Sequence, residues 1–121
     1  MNTLHVVVTS VAIAATGFSG VAALARFKPI LPGMARAGVP ASWLVFPIGT
    51  LKTAGALGLL AGLLGLAPIG TAAAAGLVLF FVCAVHTHLL ARDYSAQFAL
   101  AIGFLALTST TLTLNLTTTT A

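Results

Sequence analysis

The chain alternates four long apolar segments with short runs of turn residues and charge. The segments run from about Leu4 to Leu24, Ser42 to Leu64, Ile69 to Ala91 and Ser95 to Leu114, and Lys52 is the one Lys, Arg, Asp or Glu within them. Each is close to the ~20 residues a helix needs to cross hydrocarbon. A backbone there must satisfy its own hydrogen bonds, so each segment is predicted as a helix rather than a buried strand. Between them, residues 25 to 41 hold Pro29, Pro32, Gly33, Gly38 and Pro40, all helix-stopping types. Ser42 is placed to cap the second helix. The stretch Gly65 to Pro68 is so short that helices two and three must be antiparallel neighbours. Arg92–Asp93–Tyr94 is equally tight, with Asp93 positioned to cap the fourth helix. Near the C-terminus the alternation TLTLNL imitates a strand. A lone strand would leave unpaired backbone groups, so the expectation is a helix fraying near Leu114 to Leu116 and a loose polar tail over 115–121. Pro47 falls one turn into the second helix, where the missing hydrogen bond costs least.

Together these elements predict an all-α integral membrane four-helix bundle with antiparallel, up-down connectivity, a single transmembrane domain over 1–121. The first segment is read as a retained span, because MNTLH offers no Lys or Arg for a signal-peptide n-region.

Composition supports the bilayer. Hydrophobic types make up 60% of the 121 residues and charged types 5%, against roughly a quarter charged in a soluble domain. The net charge of +4 comes from scattered residues rather than a basic stripe, so no nucleic-acid partner is expected. A single cysteine, Cys83, gives no disulfide within the chain and no CxxC pattern. Arg26, Lys28, Arg36 and Arg92 all lie in the first and third connections, which share one membrane face, whereas the other face has no Lys or Arg. That asymmetry places the basic face in the cytoplasm and both termini away from it. Trp43 and Tyr94 stand at the cytoplasmic helix ends, where amphipathic rings anchor.

Lys52 carries the most information. Ten residues beyond Ser42 it lies roughly 15 Å deep, where an ammonium must face protein, a water-filled cavity or a partner. Asp93 is too far towards the edge to pair with it, so Ser, Thr, His or carbonyl groups are its expected acceptors. His86 and His88 lie roughly 9 and 6 Å from the cytoplasmic boundary. Two residues apart, they point to different sides of the helix, so one faces the bundle and the other the headgroups. Packing, a proton relay or a quinone contact remain open for them; a metal pair on one face does not fit. His5 is expected in solvent and Cys83 in the apolar core. Small residues four apart mark close helix contacts: Ala12, Thr16 and Gly20; Ala54, Gly58 and Gly62; Ala72 and Gly76; Ala99 and Gly103. Phe80, Phe81, Phe98 and Phe104 read as packing or lipid-facing residues rather than a cofactor cage. With one acid in the chain, paired-carboxylate catalysis has no residues to use, and no GxGxxG, Walker, Ser-His-Asp or HExxH pattern occurs. No catalytic residue, cofactor-binding residue or metal ligand is assigned, and no cofactor is expected.

Two stretches, Met34 to Leu64 and Gly76 to Tyr94, resemble the DoxX-like branch of a superfamily of small bacterial four-helix membrane proteins. Ala84, Val85, His88 and Asp93 fit the family's A-V-x-x-H-x-x-x-x-D ending, and Phe18 to Gly20 with Lys28 look like its end of helix one. The likeness spans roughly residues 8 to 107, and this chain departs from it by Lys52 where relatives carry an acid. The resemblance implies the four-helix fold and a location in the bacterial inner membrane. Some relatives are associated with a terminal quinol oxidase or with oxidoreductase complexes linked to oxidative stress. Three functions follow as expectations. One is a non-catalytic component assembling with itself or a membrane partner through Gly58, Gly62 and Gly76. Another is a small-molecule or proton carrier using Lys52 and His86. The third is a quinone- or haem-associated subunit of an oxidoreductase complex.

Overall fold

A computed structural model describes residues 3–25 and 28–119. Its helices are α1 (Thr3–Leu24), a short α2 (Leu31–Ala37), α3 (Thr50–Leu63), α4 (Ala67–Leu90) and α5 (Ala96–Thr119). No strand occurs among the described residues. Four stretches are long and apolar enough to span a bilayer: Thr3–Leu24, Ala41–Leu63, Ala67–Leu90 and Ala96–Thr117. The four form an antiparallel bundle in which α1 packs on α3 and α5, and α4 packs on the same two helices.

Polarity inside this bundle is the reverse of a soluble one. Thr9, Thr16, Thr108, Thr111 and Asn115 are buried, while Phe18, Leu64, Leu79 and Leu90 are exposed. Outward leucines and phenylalanines face hydrocarbon at no cost, and polar groups go inward, where protein can satisfy them. On α1 the buried positions are His5, Thr9, Ala12, Thr16, Gly20 and Ala23. They step by three and four, one stripe of a helix. Several hydroxyls satisfy themselves locally: Thr16 donates to the Ala12 carbonyl at 2.7 Å, and Thr111 to Leu107 at 2.9 Å.

Close approach depends on missing side chains. A Cβ on Gly58 would meet the Ala73 Cβ at 2.6 Å, and one on Gly62 would meet the Gly70 Cα at 2.7 Å. On the other side of α3, a Cβ on Gly20 would lie 2.7 Å from the Thr53 nitrogen. Gly58 and Gly62 therefore do pack helix on helix, within the chain. Gly76 does not: nothing lies within 4 Å of its Cβ position.

Three further expectations are corrected. The fourth helix does not fray near Leu114; α5 continues to Thr119, and the last two residues of the expected tail, 120 and 121, lie outside the described residues. Thr110 and Thr113 return hydrogen bonds to carbonyls four residues back, and the Asn115 side chain bonds His5, so the polar C-terminal stretch is held in the helix. His5 is 5% exposed rather than solvated. Ser42 caps nothing; it sits inside a single turn, Ala41–Trp43, that follows Pro40. Within the long first connection α2 forms, and it ends in a left-handed Gly38, φ 77°. There the Gly38 and Val39 amides return to the Ala35 and Met34 carbonyls, the closure that favours glycine.

The lead-in to α3 is broken. Leu44–Gly49 forms a wide turn interrupted at Phe46, φ −133° and ψ 130°, before a cis peptide to Pro47. Proline disfavours helical geometry in the residue before it and lacks a donor. The Thr50 hydroxyl partly compensates by donating to the Val45 carbonyl at 2.8 Å. This segment lies against α1, with Gly49 close to Ala23 and Leu24, and the gap left between it and α4 is a cavity.

Candidate functional site

The cavity has a volume of about 500 Å³ and is walled by α1, α2, the broken lead-in, the start of α3, α4 and α5. That is within the range of small-molecule sites, roughly 300–1,000 Å³. Its wall is mainly apolar, with Ser19, Lys52, Thr87, His88 and Gln97 as polar exceptions.

Lys52 is half-buried on the third position of α3. Its Nζ donates to the Ser19 Oγ at 2.9 Å and lies 5.7, 5.8 and 5.8 Å from the ring centres of Phe80, Phe81 and Phe104. The rings support one another: Phe81 stacks on Phe104 at 5.0 Å with 7° between planes, and Phe80 meets Phe81 edge-on at 5.1 Å. A lysine at the centre of a membrane helix costs about 2.5–3.5 kcal/mol by insertion. A cation over a ring face gains roughly 0.5–2 kcal/mol; because Phe81 and Phe104 are nearly parallel, Nζ faces at most one of that pair, and the rings with the Ser19 hydroxyl offset part of the cost. Sequence reasoning found Lys52 and allowed a serine acceptor, but treated the phenylalanines as packing. They pack, and they also cage the ammonium.

His88 is the bundle-facing histidine. Its Nδ1 lies 2.9 Å from the Asp93 Oδ2, its ring 6.0 Å from Phe98, and its side chain on the cavity wall. His86 is exposed and does not line the cavity. The structure thus places His88, not His86, in the cavity that holds Lys52. Asp93 is 7% exposed. Its Oδ1 accepts the Ser95 amide at 3.3 Å and lies 3.8 Å from Arg36 Nε. Burial alone would raise the Asp93 carboxyl; the hydrogen bonds from Ser95 and His88 overcome this and hold it below the usual carboxylate range. Asp93 and Arg36 also tie the third connection to α2 at one end of the molecule. His5 and Asn115 meet at the other end, where Asn115 lies close to Gly70. The Arg36 contact and the His5–Asn115 pair escaped the sequence reading, though an up-down topology puts the N-terminus of the first helix beside the C-terminus of the last.

Cys83 is exposed at the cavity rim rather than in the core. No group of three His, Cys, Asp or Glu side chains comes together among the described residues. What the site offers is one ammonium, a hydroxyl, aromatic faces and an apolar volume, a set that binds and orients a ligand.

Searches of the curated proteins and of the solved structures find no match. The DoxX-like family matches residues 7–111, a stretch that covers α2, α3, α4, Lys52, His88 and Asp93 together, and this integral, multi-pass membrane chain belongs to that family.

Proposed function

We propose that the protein binds a lipid-soluble small molecule within the bilayer, in the cavity beside Lys52. The observation that carries this reading is an apolar volume of about 500 Å³ with a single caged ammonium in its wall. A non-catalytic assembly role was the leading expectation from the sequence, resting on the lack of a catalytic set, the small-residue faces and Lys52. Gly58 and Gly62 are spent within the chain, so the cavity is the better guide. The carrier and the quinone- or haem-associated readings both become forms of ligand binding at this site, with His88 taking the place given to His86. The bound molecule enters from the bilayer of the bacterial inner membrane, with the Arg36–Asp93 end towards the cytoplasm.

Gly76 provides the test. It lines the cavity and has nothing within 4 Å of its Cβ position, so Gly76→Trp fills the volume without displacing packed backbone. Native mass spectrometry of protein released from mild detergent is expected to show a retained lipophilic molecule near one per chain, lost in Gly76→Trp. Equal spectra for both proteins, with nothing retained, would refute the reading.

A further inference from the structure

We propose that the ligand is a single-chain amphiphile bearing one negative charge, a carboxylate held between Lys52 and Ser19; this rests on the cavity being a binding site. The chain has one acid, Asp93, and it is engaged by His88 and Arg36. Lys52 therefore has no counter-charge from any carboxylate side chain, and three aromatic rings and one hydroxyl lie around its Nζ. An ammonium has three donors, and its one hydrogen bond among the described residues goes to Ser19. In accepting that bond, the Ser19 oxygen keeps its own hydrogen for another acceptor. A carboxylate bridging Nζ and Oγ receives one hydrogen bond from each and neutralises the charge, which in a low-dielectric site is the larger gain. A neutral carbonyl compound would take a hydrogen bond and leave the charge unbalanced. Apart from Thr87, His88 and Gln97 the remaining wall is apolar and suits a hydrocarbon tail, and about 500 Å³ accommodates one chain rather than a whole two-chain phospholipid.

Trp43 lines the cavity and is the chain's one tryptophan, so its fluorescence reports occupancy. Full-length protein in phosphatidylcholine nanodiscs is titrated with a dibrominated C18 fatty acid and with the matching dibrominated alcohol. The acid is expected to quench Trp43 saturably, at a mole fraction about tenfold below the alcohol's, a difference of about 1.4 kcal/mol. Lys52→Met is expected to remove that preference, Lys52→Arg to keep it, and Ser19→Ala to reduce it severalfold. Saturable quenching with equal midpoints for acid and alcohol would overturn the carboxylate proposal and leave the cavity reading standing. Quenching that never saturates with either probe would overturn the cavity reading itself. Displacement of the acid by phosphatidylglycerol at equal mole fraction would assign the cradle to the bilayer's own anionic lipid, against a single-chain ligand. The wild-type ratio of acid to alcohol decides the matter even where Lys52→Met fails to fold.

Discussion

Asp93 is shared by three partners, and each restrains a different part of the chain. His88 is on α4, Ser95 opens α5, and Arg36 closes α2. The carboxylate is held below its ordinary range, so it stabilises the fold when ionised. The sign follows from linkage. A carboxyl with a lower pKa in the folded state gives its full contribution above the unfolded value of about 3.9 and loses it as pH falls through the lower folded value. Thermal stability in detergent is therefore expected to be flat in this respect from neutral pH to about pH 5, then to fall with acidification. In Asp93→Asn the neutral-pH stability drops and the acid-side slope shrinks; an unchanged slope would show that Asp93 is not responsible. In the sequence His88 and Asp93 stood together only as parts of the family-like ending, and their contact was not read from their spacing. The phenylalanine cage was not legible either. Phe80, Phe81 and Phe104 become neighbours of Lys52 only once α3, α4 and α5 have fixed rotations about their axes, and apolar residues all round a membrane helix leave that rotation undetermined.

At the level of the helix, what decides the packing is where side chains are missing. The hydrophobic effect does not press helices together in lipid, so contact depends on how closely backbones approach. Gly62 and Gly70 meet backbone to backbone, whereas Gly103 has open space at its Cβ position. Gly62→Leu is expected to destabilise the bundle by about 1–3 kcal/mol, as overpacking does, and Gly103→Leu to lie within about 0.5 kcal/mol of wild type. Thermal unfolding followed by circular dichroism in one detergent compares them directly; a tolerated Gly62→Leu would refute the α3–α4 contact. The four-residue interval singles out Gly58 and Gly62, which lie against α4, and equally Gly76, which lines the cavity, because the same spacing marks a packed face and a cavity wall alike. The broken lead-in was only half legible. Pro47 announced a defect, but the amount of backbone displaced depends on α1 receiving the segment at Gly49, a tertiary contact that no local pattern carries.

Across the whole molecule, the basic residues bear on how the bundle lies in its membrane. The Arg36–Asp93 contact joins the first and third connections at one end, and these connections hold four of the five Lys and Arg residues in the sequence. The turn at Gly65, with the His5–Asn115 pair, lies at the other end, which carries no Lys or Arg. Short basic connections are retained in the cytoplasm, and an Asp93 already engaged by His88 and Arg36 does not reverse that bias, since acids contribute little to it. In a Cys83→Ser background, Leu66→Cys and Ala35→Cys place single thiols at exposed positions on the two ends. A membrane-impermeant maleimide applied to intact spheroplasts is expected to label Leu66→Cys directly and Ala35→Cys only after permeabilisation. The opposite order would invert the orientation and place the Arg36–Asp93 end of the cavity towards the outside, while the bundle, the caged Lys52 and the carboxylate cradle would stand unchanged.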